Sequence, residues 1–126
     1  MTPLLVPIRT VPGLNAREHW RARSTRVRKE REAVGWVLKG QPMPAVPLTV
    51  RLTRVSPSSG CDDDNLAGAL KGVRDAVAAW LGIDDRRQQQ VRYVYAQHRG
   101  PWGVEIEWLP PASGAQYVLG EIVEAA

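Results

Sequence analysis

Three adjacent carboxylates, Asp62, Asp63 and Asp64, followed by Asn65, are the residues of this chain best suited to chemistry. They repel one another. They also sit in a chain of formal net charge +4, which attracts polyanions. If the ligand carries phosphate, the acidic run opposes it. A divalent cation shared between carboxylates and phosphate removes the conflict. Mg²⁺ takes a few carboxylate oxygens, waters and phosphate oxygens. Such an ion activates water and offsets the charge that grows on a phosphodiester. Asp62 and Asp64 are two apart in an extended segment leaving a strand, so they point the same way and Asp63 points elsewhere. A second pair, Asp84-Asp85, follows Gly82 at the far end of a helix over 65–81, about 25 Å long. It reaches the first group only if its loop folds back along that helix. A helix N-cap with dipole-favoured acids is the plain alternative for the first group, and a turn after a glycine stop for the second.

At 100° per residue, Asp64, Gly68, Lys71 and Asp75 share one stripe of that helix, opposite its apolar stripe. A lysine there could hold a phosphate oxygen, or simply pair with Asp75 on a solvated face. Arg17, Arg21, Arg23, Arg26, Arg28, Lys29 and Arg31 crowd a second segment, opposed by Glu18, Glu30 and Glu32. This concentration is the footprint of a polyanion binder, or a solvated helix face. Arg21, Arg23, Arg26, Arg28 and Lys29 are the candidate phosphate contacts, with Arg86 beside the second acidic pair. His19 and His98 have no visible partner, and Cys61 abuts carboxylates that make it a poor nucleophile. Trp20 is a candidate to stack on a base or to pack on the core, and Trp102, at a turn, to contact DNA or a partner subunit, while Trp36 and Trp80 are expected in the core.

These groups must be positioned by a small set of elements. Leu4 to Thr10 reads as an edge strand containing Pro7. A helix over 24–39 follows, capped by Ser24 or Thr25 and stopped at Gly40. Pro42, Pro44 and Pro47 mark a loop. Leu48 to Val55 alternates apolar and polar, which predicts a half-buried strand. Leu66, Leu70, Val73, Val77, Trp80 and Leu81 form the buried stripe of the second helix, with Asp64 or Asn65 as N-cap and Gly82 as stop. Val91 to Ala96 and Gly103 to Leu109 read as a final antiparallel hairpin around Gly100-Pro101. The order β-α-β-α-β-β predicts a small single-domain α+β fold, a mixed sheet with both helices on one face. Residues 1–110 form the domain, and 111–126 a tail, docked or flexible.

At 126 residues, with 44% hydrophobic and 24% charged, the chain can bury a core without disulfides. Its single cysteine fits a reducing cytoplasm. No apolar run spans a bilayer, no leader is visible, and no Cys/His spacing suits zinc.

Asp62-Asp63-Asp64-Asn65-Leu66, an amphipathic helix, then Leu81-Gly82-Ile83-Asp84-Asp85 resembles the RusA family of Holliday-junction resolvases. The likeness covers roughly residues 5–109, its specific signal lying in 62–85. It implies an α+β homodimer that nicks four-way DNA junctions with Mg²⁺, Mn²⁺ able to substitute, and no organic cofactor. It places the metal aspartates at Asp62, Asp64 and Asp85, with a lysine assisting. The family lysine falls where this chain has Gly68, so the role moves to Lys71, with Arg74 or Arg86 as substitutes. Two other readings stay open: a junction- or DNA-binding protein of this fold that does not cut, and a structural or interaction protein without a nucleic-acid role.

Overall fold

The computed structural model describes residues 3–11, 20–58, 60, 63–82, 90–111 and 122–123, the side chains of 63, 64, 122 and 123 excepted. The elements are β1 (Leu4–Val6), α1 (Trp20–Leu38), β2 (Leu48–Ser56), α2 (Asp63–Leu81), β3 (Val91–Arg99), β4 (Gly103–Leu109) and β5 (Ile122–Val123). They form the expected α+β fold: one mixed five-stranded sheet, in the order β1-β4-β2-β3-β5, with two helices on one face.

The sheet is built around β2. It runs parallel to β3 (Leu52 opposite Tyr95) and antiparallel to β4 (Leu52 opposite Ile106). β1 adds antiparallel to the outer edge of β4, and β5 parallel to the outer edge of β3. The even positions of β1, β2 and β4 face the helices, as does Tyr95. There Val6, Val50, Leu52, Val104 and Ile106 meet Val34 and Leu38 of α1 and Leu66, Leu70, Val73 and Val77 of α2. The apolar stripe expected of α2 is thus the buried one, with Trp80 and Leu81 partly buried at its end. Trp80 stacks on Trp108 with ring centroids 5.6 Å apart. Gly40 (φ 80°) and Gly82 (φ 65°) sit at the expected helix stops.

Several boundaries and pairings differ from the sequence expectation. The first strand ends at Val6 rather than Thr10. The first helix begins at Trp20, a full turn before its expected cap, so Ser24 and Thr25 lie inside it. The second helix begins at Asp63, which puts Asp64 and Asn65 in its first turn rather than at its cap. Trp36 is 73% exposed, not core. The buried stripe of α1 is Glu30, Val34 and Leu38, and Trp36 follows Val34 by about 200° of helix rotation. Lys39 Nζ lies 5.1 Å from the Trp36 ring centre instead.

β2 is buried on both faces rather than on one. Thr49, Thr53 and Val55 of its outward face are each 5% exposed or less. As the central strand, β2 has long-chained neighbours on that face: Arg92 opposite Thr49, Glu107 opposite Arg51 and Glu105 opposite Thr53.

The largest correction concerns the last two strands, which are not hairpin partners. The connection after β3 passes over the end of β2, and β4 pairs on the far side. Gly100 N–H donates to the Ser56 carbonyl at 3.0 Å, fixing the crossing to the strand end it covers. A Cβ on Gly100 would come within 2.8 Å of Val55, so the crossing needs glycine there. The turn residues Gly100 and Pro101 mark a reversal without specifying its partner.

Candidate functional site

Both β1 and β2 are antiparallel to β4, so their C-terminal ends share one end of the sheet. β2 leads from that end into α2, whose first residue is Asp63. The first half of α1 flanks the same end. Arg21, Ala22, Thr25, Arg26, Lys29 and Glu30 line a cleft of about 610 Å³ with Ile8 and Arg9, just beyond β1. The basic segment and the start of the acid-led helix therefore open onto one end of the molecule.

The basic candidates divide on this geometry. Arg21, Arg26 and Lys29 line the cleft, whereas Arg23 and Arg28 are exposed outside it. Arg26 donates from Nη1 to Glu30 Oε1 at 2.8 Å, and Glu30 is only 3% exposed. The Glu30 carboxylate lies against Gly72 of α2, where a Cβ would fall 2.5 Å from Oε2. Trp20 is 65% exposed, with the Arg21 guanidinium 5.1 Å from its ring centre.

Lys71 is on the solvent side of α2, its side chain 68% exposed and its amine 3.9 Å from Asp75. Asp75 also faces Arg31 of α1 at 3.8 Å and Arg74 at 3.9 Å. Arg74 donates from Nη1 to the Tyr95 hydroxyl at 3.2 Å. Burial pushes the Tyr95 hydroxyl up to about 12, Arg74 opposing the shift and Asp75 adding to it. Tyr93 is likewise raised to about 12 by burial.

Asp62, Asp84, Asp85 and Arg86 lie outside the described residues, as does the Asp64 side chain, whose backbone is in the first turn of α2. Among the described residues no three His, Cys, Asp or Glu side chains gather as a metal site. The length of α2 still limits which aspartates can share an ion. From Asp64 to Gly82 the helix rises about 27 Å, and the three residues from Gly82 to Asp85 recover at most about 11 Å. Two short aspartate side chains and two Mg–O bonds of about 2.1 Å do not bridge the remainder. Asp62 and Asp64, two residues apart, meet no such limit, but Asp63 and Asp64 are helical rather than extended, so strand alternation does not align the two as expected.

One further group was not read from the sequence. Arg54, in β2, is 3% exposed and faces the helix side of the sheet, beyond the apolar core. Its Nε donates to Thr10 Oγ1 at 2.8 Å and its Nη1 to Ser56 Oγ at 3.2 Å. Ser56 Oγ lies 3.4 Å from both the carbonyl and the hydroxyl of Ser58. The Arg54 guanidinium is 5.5 Å from the ring centre of Trp102, and that of Arg9 is 5.0 Å from the same ring. Trp102 is there because the connection between β3 and β4 crosses the end of β2. The sequence does carry a signal: Thr53 and Arg54 are consecutive polar residues. The alternation slips at that point, and a charge takes an inward position.

No family model matches the chain, and no solved structure matches it. It is similar to an uncharacterized protein of Xylella fastidiosa, 37% identical over 82 residues, covering 58% of this chain and 52% of that protein. The chain thus spans about half the length of the relative it matches. No helix among the described residues is long and apolar enough to cross a membrane.

Proposed function

We propose that this chain is a metal-dependent endodeoxyribonuclease of the RusA type, cytoplasmic, cutting branched DNA such as a four-way junction as a homodimer. The observation that carries the reading is the shared end of the sheet. There the basic first half of α1, with Arg21, Arg26 and Lys29 on its cleft, lies beside the start of the helix that follows Asp62. A phosphate drawn to the cationic cleft would then meet an acidic run beside it, the conflict that a shared cation resolves.

Asp62 and Asp64 would hold Mg²⁺, which when bound supplies water activation and charge neutralisation at the phosphodiester. Asp85 of the same chain is too far along α2 to join them. Asp85 of a second copy has no such restriction, which gives the homodimer a chemical reason as well as a symmetric one. Arg21, Arg26 and Lys29 would bind backbone phosphates, with Arg23 and Arg28, outside the cleft, and Arg86 as further contacts. Lys71 would steady a phosphate oxygen only by leaving Asp75. That pairing favours, as a second reading, a DNA-binding protein of the same fold that does not cut.

A labelled synthetic four-way junction, incubated beside a linear duplex with Mg²⁺, Mn²⁺ or chelator, separates the readings. Paired metal-dependent nicks on the junction alone, abolished in Asp64→Asn, are the expected result. Binding without cutting in every metal leaves the binding protein. Neither binding nor cutting removes the nucleic-acid reading.

A further inference from the structure

We propose that Arg54 is the centre of a binding site for one phosphate-sized oxyanion, at the end of β2 beside the cationic cleft. The inference deepens the nuclease reading and rests on it for the source of the phosphate, which we take to be the DNA backbone.

A guanidinium carries five N–H donors and is never neutral at working pH. A charge removed from water is costly unless it is paired and hydrogen-bonded. Arg54 is nearly sealed, yet among the described residues no carboxylate faces it. Its partners are two neutral hydroxyls, of Thr10 and Ser56, and the face of Trp102. Nη2 has no partner among the described residues, and it is not among the atoms cut off from solvent. The group is therefore oriented on its Nε side and by Nη1, while the other nitrogen, without a partner among the described residues, keeps only slight contact with solvent.

The arrangement suits an anion from outside better than it suits stability. Thr10 and Ser56 fix the plane of the fork, which is what a bidentate oxyanion requires. Arg9 brings a second exposed cation to the same indole, with no carboxylate partner among the described residues. Ser58, next to Ser56, adds an exposed hydroxyl to the rim. An arginine serving only to tie β1 to the sheet would gain nothing from a second cation beside it.

The first test titrates inorganic phosphate against chloride at constant ionic strength and follows tryptophan emission. A saturable change in the wild type that is lost in Trp102→Phe places the anion beside that indole. In Arg54→Met, folded by circular dichroism, the apparent dissociation constant is expected to rise at least tenfold. No saturable change in the wild type, or an unchanged constant in Arg54→Met, overturns the site. If Arg54→Met does not fold, the comparison of wild type with Trp102→Phe decides alone.

The second test measures junction-DNA affinity against salt. If the DNA backbone supplies the phosphate, the slope of log affinity against log salt falls by about 0.9 in Arg54→Met. An unchanged slope, with phosphate binding intact, overturns the DNA assignment and makes free phosphate the ligand. A protein that binds phosphate at Arg54 but neither binds nor cuts DNA retains the anion site and loses the nuclease reading.

Discussion

Gly72 and Glu30 show how one missing side chain sets the spacing of the two helices. Alanine at 72 should gain about 1 kcal/mol of helix propensity. Its Cβ, however, would press on a carboxylate oxygen that is almost fully enclosed. Overpacking costs about 1–3 kcal/mol, so Gly72→Ala should be destabilising by about 1 kcal/mol in urea unfolding. Glu30→Ala in the same chain should recover part of that loss, a coupling that a double-mutant cycle reads directly. Lys71→Met should leave stability within about 0.5 kcal/mol, because an exposed pair at 3.9 Å contributes little. Any fall in junction cleavage by that variant would then report on chemistry rather than on folding.

At the scale of elements, α2 gives the core four of its thirteen buried hydrophobic residues among those described, more than any other single element. Leu70 is fully buried among both sheet and helix residues. Leu70→Ala should cost about 2–5 kcal/mol, seen as a lower urea midpoint with little change in slope. This helix was legible in advance because Leu66, Leu70, Val73 and Val77 repeat at its period, and the same holds for Val34 and Leu38 of α1. The start of α1 was not legible, since Trp20, Arg21, Ala22 and Arg23 form an exposed first turn with no apolar period to reveal it. The partner of β4 was hidden for another reason. Alternation tells which residues share a face, but not which strand lies alongside. The acidic run and the basic stripe were visible by composition. The Arg54 group was not, because Thr10 and Trp102 are brought to Arg54 and Ser56 of β2 by two other segments.

For the whole molecule, the division of the basic residues makes a directional prediction about DNA. Arg21 and Lys29 line the cleft, and Arg23 and Arg28 do not. Replacing Arg21 and Lys29 together should lower the salt slope of junction binding by about 2, at about 0.9 per phosphate contact. Replacing Arg23 and Arg28 should lower it by less. Equal slopes for the two pairs would remove the cleft as the DNA path.

Alkali should unfold the protein through Tyr93 and Tyr95. Both hydroxyls are pushed up to about 12 in the folded chain, against 10.0 ordinarily. The unfolded state then loses protons first as pH rises. Stability from this source is complete below about pH 10 and is lost between about pH 10 and pH 12. Urea midpoints should fall across that interval and be flat below it. Tyr95→Phe should reduce the fall.

The strand order also bears on how the protein is made. Leu4 pairs with Ile106, and among the described residues β1 has no strand neighbour other than β4. During synthesis the first strand leaves the ribosome long before its template exists. Helices and the β2–β3 pair can assemble meanwhile, but the edge beside β2 stays open until β4 emerges and fills it. Only then can β1 close the sheet, along with Thr10, which follows it and holds Arg54. The anion site would thus form only after β4 has emerged and paired. A chain arrested on the ribosome before Gly103 should have its helices without phosphate binding.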